Sequence, residues 1–273
     1  MAVAGAEMIW PRQQPSGATS RRWGGNLSLY AISYALLLLP WFAALVAAAM
    51  ASAGHFGLLN RLGLSVPIHF TVAVIALDGL YYWLHRLIHG VTALWRVHAV
   101  HHSDPEIDVT TTLRHHPLEK IFFSVVIGAT VFLFGLTASE VVAYAWAALG
   151  VQLLGHANLA LSPRYDAALA RVFVTPDFHR LHHSREMAET NSNYGEVFSF
   201  WDRLFGTAKS RSRKGHRELE LGLDEFREPK HQRAHLLLAQ PFLPQGRVTE
   251  EPLHAEERMD AAATRRVDPK PGI

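Results

Sequence analysis

Residues 95–120 read WRVHAVHHSDPEIDVTTTLRHHPLEK, a stretch that sets five imidazoles, His98, His101, His102, His115 and His116, between segments that are almost wholly apolar. The H-x-x-H-H spacing of His98, His101 and His102 returns at 175–184, TPDFHRLHHS, as His179, His182 and His183. On a helix, side chains three or four residues apart share a face within contact range, so each copy presents a convergent patch. HRLIH at 85–89 offers a third patch through His85 and His89. Neutral imidazole is the commonest side-chain metal ligand and suits iron, copper, nickel and zinc. One ion needs three or four such ligands, and eight stand here before His156 is counted, so two metal ions are expected. The isolated His55, His69, His216 and His254 read instead as surface or interfacial residues, and His231 and His235 fall in a charged tail.

Working outward, the chain of 273 residues is 49% hydrophobic and only 18% charged, too apolar for an ordinary soluble domain and typical of a membrane protein. It has no cysteine, which excludes disulfides, zinc-thiolate sites and iron–sulfur clusters. A formal net charge of only +2 gives no reason to expect a nucleic acid as partner.

Four apolar runs organise the chain, LSLYAISYALLLLPWFAALVAAAM, SVPIHFTVAVIALDGLYYWL, IFFSVVIGATVFLFGLTA and VVAYAWAALGVQLLGHANLAL, the last two joined only by Ser139 and Glu140. Each approaches the roughly 20 residues that a helix needs to cross a bilayer, and a link this short implies an antiparallel hairpin. Four crossings put both termini on one side. Of the 26 lysines and arginines, only Arg61 lies in the connections on the other side, around 51–64 and 138–140, so the side of the termini is expected to be cytoplasmic. The fold class expected is therefore all-α integral membrane, with about four transmembrane helices and a cytoplasmic helical cap carrying a histidine-rich di-metal site. Residues 1–27 read as a disordered arm, 28–207 as the membrane-embedded catalytic domain, and 208–273 as a charged, partly disordered cytoplasmic segment.

A carboxylate inside an apolar crossing marks a functional position with a partner. Asp78, Tyr82, His85 and His89 fall on one helical stripe at spacings of four, three and four. Asp78 is thus expected to accept a hydrogen bond from a ligating imidazole, fixing its tautomer and raising its basicity; the alternative is an ion pair with Arg86.

HRLIH, HAVHHSDPEIDVTTTLRHHPLE, GHANL, HRLHHS and NSNYGEVFSFWDRLFGT, in this order between about Leu64 and Thr207, resemble the successive motifs of the fatty acid hydroxylase and sterol desaturase superfamily of membrane di-iron proteins. The resemblance implies two iron ions held by His85, His89, His98, His101, His102, His179, His182 and His183, with His156 as an additional ligand and His116 of RHHP as a tenth. One departure stands at Gln152, one helical turn before His156, where the fatty acid 2-hydroxylase branch carries a further histidine.

Nitrogen-rich ferrous sites with open positions bind dioxygen and support removal of hydrogen from an unactivated C–H bond. The expected reaction is hydroxylation or desaturation of a lipid: fatty acyl, sphingolipid, sterol-like or related. The chain carries no haem or flavin signature, so an external donor of the ferredoxin or cytochrome type is expected to supply electrons, and the basic cytoplasmic surface suits an acidic one. Zinc competes well for nitrogen ligands and is able to replace iron in recombinant protein. The rival readings are a metal-ion transporter, which would scatter its ligands near the bilayer midplane, and a metal-binding membrane protein without catalysis.

Overall fold

The computed structural model describes residues 2–15, 19–213, 215 and 218–245, with the backbone alone at 36–43. Among the described residues the chain is helical, with isolated bridges and no strand. The helices are α1 (Ala2–Ile9), α2 (Thr19–Ala53), α3 (Leu58–Arg61), α4 (Val66–Gly90), α5 (Thr92–His102), α6 (Pro117–Phe134), α7 (Ala138–Gly155), α8 (Pro163–Leu169), α9 (Pro176–His182), α10 (Met187–Thr190), α11 (Phe200–Leu204) and α12 (Ala234–Ala239). Three of them, α4, α6 and α7, are long and apolar enough to cross a membrane.

α2 and α6 pack along their lengths, and the main core lies where α2, α4, α6 and α7 meet, around Ala48, Leu77, Val131 and Tyr144. Small residues such as Ala48 and Ala73 let the helices approach, as membrane helices require when no hydrophobic effect drives their association. Large apolar side chains on the outer faces, including Val125, Leu133 and Trp146, are exposed.

The α6–α7 hairpin turns one step earlier than the polar pair Ser139 and Glu140 suggests. Gly135, at φ 77°, ends α6 in the left-handed conformation, where its N–H and that of Leu136 both bond the Val131 carbonyl. Thr137 and Glu140 then form a reciprocal cap on α7. Glu140 is therefore the first turn of the next helix, and its second role is to accept from His69 Nδ1 at 2.7 Å. Gly57, at φ 115°, meets Gly135 so closely that a Cβ there would lie 2.3 Å from the Gly135 Cα.

At the opposite end the chain builds a polar cap, to which residues 2–15 and the start of α2 contribute. Glu7 accepts from the backbone N–H of Asn158 (2.6 Å) and Val109 (2.9 Å). Arg12 pairs with Asp177 at 2.8 Å. Arg22 bonds Asp104 (3.0 Å) and Asp108, while Asn26 bonds Asp104 and Thr110. Buried groups of this kind are costly unless paired, and these segments satisfy one another over long sequence distances. Part of 208–273 also belongs to the cap. Leu219 and Leu221 pack on Ile107 and Leu181, Leu237 packs on Leu29 and Val100, and Gln232 accepts from Arg114 at 2.7 Å. Residues 246–273 lie outside the described residues.

Candidate metal centre

The two H-x-x-H-H helices, α5 and α9, are buried in the cap, and their histidines sort into two groups. His85 and His89 of α4, His98 and His102 of α5, and His182 of α9 form the first; His101, His156, His179 and His183 form the second. In each group one ring nitrogen per histidine lies within 4.8 Å of all the others. Each helix serves both groups because a neighbour one residue along points about 100° around the axis.

The outer nitrogens fix the orientation of six of these nine rings. In the first group Nδ1–H donates from His85 to the Tyr194 carbonyl (2.9 Å), from His182 to the Ser192 carbonyl (2.6 Å), from His89 to Asn191 Oδ1 (3.3 Å) and from His98 to Glu119 Oε1 (3.0 Å). In the second, His101 donates to the Arg114 carbonyl (3.3 Å) and His156 to the Gln152 carbonyl (2.9 Å). A proton held on Nδ1 leaves Nε2 of the neutral ring with its lone pair.

The inner nitrogens then face one another. Nε2 of His85, His89 and His182 is buried without a partner. Nε2 of His101 lies 3.2 Å from Nε2 of His156, which lies 2.9 Å from that of His179. His98 and His102 approach likewise at 3.2 Å. Lone pairs aimed at each other repel, and protonating them is disfavoured. Burial, reinforced by neighbouring imidazoles, holds His101, His102, His179, His182 and His183 well below the ordinary histidine value, and burial lowers His156 to about 3. Buried, neutral and mutually directed nitrogens fit a pair of cations.

His116 stands outside both groups. Its Nδ1 accepts from Leu118 N–H to cap α6, and its Nε2 bonds the Leu238 carbonyl, which leaves no lone pair for a metal. Asp78 touches neither an imidazole nor Arg86. Its carboxylate accepts from Tyr144 Oη (2.9 Å), Trp201 Nε1 (2.8 Å) and the N–H groups of Val197 (3.0 Å) and Phe198 (3.2 Å), so it clamps the segment before α11 to α4. Tyr82 bonds Thr207 at 2.9 Å. The carboxylate that does hold imidazoles is Glu119, which accepts from His98 and His115, each at 3.0 Å. His115 in turn stacks on His101, with ring centres 4.4 Å apart. Its position four residues before Glu119 was the available sequence signal. Gln152 spends its side chain on the Glu196 carbonyl.

A cavity of about 450 Å³ leads to this centre. His85 and His98 of the first group and His101 and His179 of the second line its inner end. Tyr30 and Tyr34 of α2 and Val142 and Trp146 of α7 line it on the exposed apolar flank.

Fold and site together define a membrane protein with a histidine-rich site able to hold two metal ions. The chain belongs to the fatty acid hydroxylase family, whose model matches residues 70–207. It is 34% identical over 211 residues to an ornithine lipid hydroxylase of Rhizobium tropici, covering 73% of this chain and 61% of that protein. Alkylglycerol monooxygenase of Homo sapiens is 31% identical over 166 residues, 60% of this chain and 36% of its own. A very-long-chain aldehyde decarbonylase of Oryza sativa subsp. indica is 28% identical over 160 residues, 56% of this chain and 25% of its own. The chain thus spans less than two thirds of the length of these relatives. No solved structure matches it significantly.

Proposed function

We propose that the protein is a membrane di-iron oxygenase that hydroxylates a lipid with dioxygen and electrons from an external ferredoxin- or cytochrome-type donor. The observation that carries this reading is the convergence of nine buried imidazole nitrogens on two points at the inner end of a cavity that opens toward the lipid-facing flank. His85, His89, His98, His102 and His182 would hold one iron, and His101, His156, His179 and His183 the other. Bound there, a ferrous pair supplies the activation of dioxygen needed to attack an unactivated C–H bond. The chain's own work is to hold these rings neutral and oriented through their Nδ1–H partners, to bury them from water, and to bring an apolar chain alongside.

The naming of two relatives as a lipid hydroxylase and an alkylglycerol monooxygenase supports a lipid substrate. Hydroxylation is favoured over desaturation because it needs only one hydrogen placed near the oxidant. We further read α2, with 35 residues, as the fourth crossing, with both termini and the cap cytoplasmic and Asp78 and Tyr82 as positioning residues. Ligands gathered at one end of the helices, rather than at mid-span, count against a transporter. The test is reconstitution with ferrous iron, a ferredoxin system and a mixed lipid extract under labelled oxygen gas. Label in a lipid product is expected; metal flux across vesicles with no oxygen-dependent lipid change would overturn the reading.

A further inference from the structure

The cavity is apolar along most of its wall, yet besides Glu119 and the histidines it is lined by two more chargeable side chains, Lys120 from the first turn of α6 and Glu196 from the segment before α11. Neither side chain forms a hydrogen bond or ion pair within the described protein, and the two do not pair with each other, although they sense one another's charge. Both line the cavity together with His98 and His101. A hydrocarbon tail satisfies neither group, and leaving them unmatched beside it is costly.

We propose that Lys120 and Glu196 form a recognition site for the polar group of the lipid, one that accepts from the lysine N–H and donates to the glutamate oxygen, namely a hydroxyl or an amide. This inference rests on the oxygenase reading for its substrate, but not for its test. In the ammonium form Lys120 offers donors only, and the Glu196 carboxyl offers an acceptor whether or not it is ionised. An ether or ester oxygen accepts and cannot donate, so beside an ionised Glu196 it matches Lys120 alone. A hydroxyl or amide matches both, and fixes the distance from the polar group to the carbon presented to the two histidine groups. Pre-positioning of this kind selects one carbon of an otherwise uniform chain.

The experiment measures equilibrium binding of tritiated 1-O-hexadecylglycerol and N-hexadecylacetamide to the full-length protein in nanodiscs, against hexadecyl methyl ether, which accepts without donating. The protein is expected to favour at least one of the first two by about tenfold over the ether, the worth of a hydrogen bond to a charged group. Glu196→Met should reduce that preference to within about threefold while the ether binds as before, which also shows that the cavity is intact, and Lys120→Met should weaken all three ligands together by removing the donor they share. A preference for the glycerol ether points to a hydroxyl and one for the acetamide to an amide; either supports the site. Equal binding of all three ligands by the unaltered protein, a preference that survives in Glu196→Met, or binding of all three unchanged in Lys120→Met overturns it. Binding needs no turnover. A preference lost in Glu196→Met without any oxygen-dependent product would therefore sink the oxygenase reading alone, whereas turnover with no preference would sink this site alone.

Discussion

The two histidine groups differ by one ligand, and the difference comes from the helices that feed them. α5 sends His98 and His102 to the first group and His101 to the second, while α9 sends His182 to the first and His179 and His183 to the second. The H-x-x-H-H pairs thus divide two-to-one in opposite directions, three imidazoles to each side. α4 then adds His85 and His89 to the first group, but the turn after α7 adds only His156 to the second. Gln152, one turn before His156, offers its backbone carbonyl to hold the ring and its side chain to the Glu196 carbonyl. The second group is therefore the one with no ligand to spare.

This asymmetry makes the largest expected effect specific. His156→Ala leaves three nitrogens in the second group and should drop metal content, read by elemental analysis, from about two ions per chain to about one, with loss of activity. His89→Ala leaves four in the first group and should retain about two. Equal losses in the two variants would break the comparison.

Acid should weaken both groups in the metal-free protein. The native imidazoles of His101, His102, His156, His179, His182 and His183 lie below the unfolded value of about 6.5, so the unfolded chain binds more protons as the pH falls. Stability is then fully present above about pH 6.5 and declines below it, by roughly 1.4 kcal/mol per pH unit for each such imidazole. Since His156 is held down to about 3, the decline should continue well below pH 5, as followed by thermal unfolding. A flat profile from pH 7 to 5 would contradict the neutral, buried state.

Smaller effects separate support from ligation. Asp78→Asn removes charged acceptors from Tyr144, Trp201 and two backbone N–H groups. It should cost about 2 kcal/mol of stability by thermal unfolding with metal content unchanged. Glu119→Gln loosens His98 and should weaken metal affinity in the first group about tenfold, leaving the second as it was. His116→Ala removes the α6 cap and the bond to the Leu238 carbonyl, each at about 1 kcal/mol, and metal content should stay at its original level.

The sequence alone determined the membrane-crossing runs and the ligand types. Their signals are local: apolar length for α4, α6 and α7, and i, i+3, i+4 spacing for the histidines. The family pattern added His156, which has no neighbour in sequence. What local spacing does not contain is which patch faces which. The stripe from Asp78 to His89 was legible, but a stripe gives direction without naming the partner, and the tertiary fold brought Tyr144 and Trp201 rather than an imidazole to Asp78. The division of each H-x-x-H-H between two groups was decided by the packing of α4, α5 and α9. The same holds for Glu119, and for residues 2–15, whose order comes from hydrogen bonds to residues more than 100 positions away. Composition reads such a segment as a loose arm because it has no apolar periodicity. Only the folded chain supplies the buried backbone groups and carboxylates that hold it.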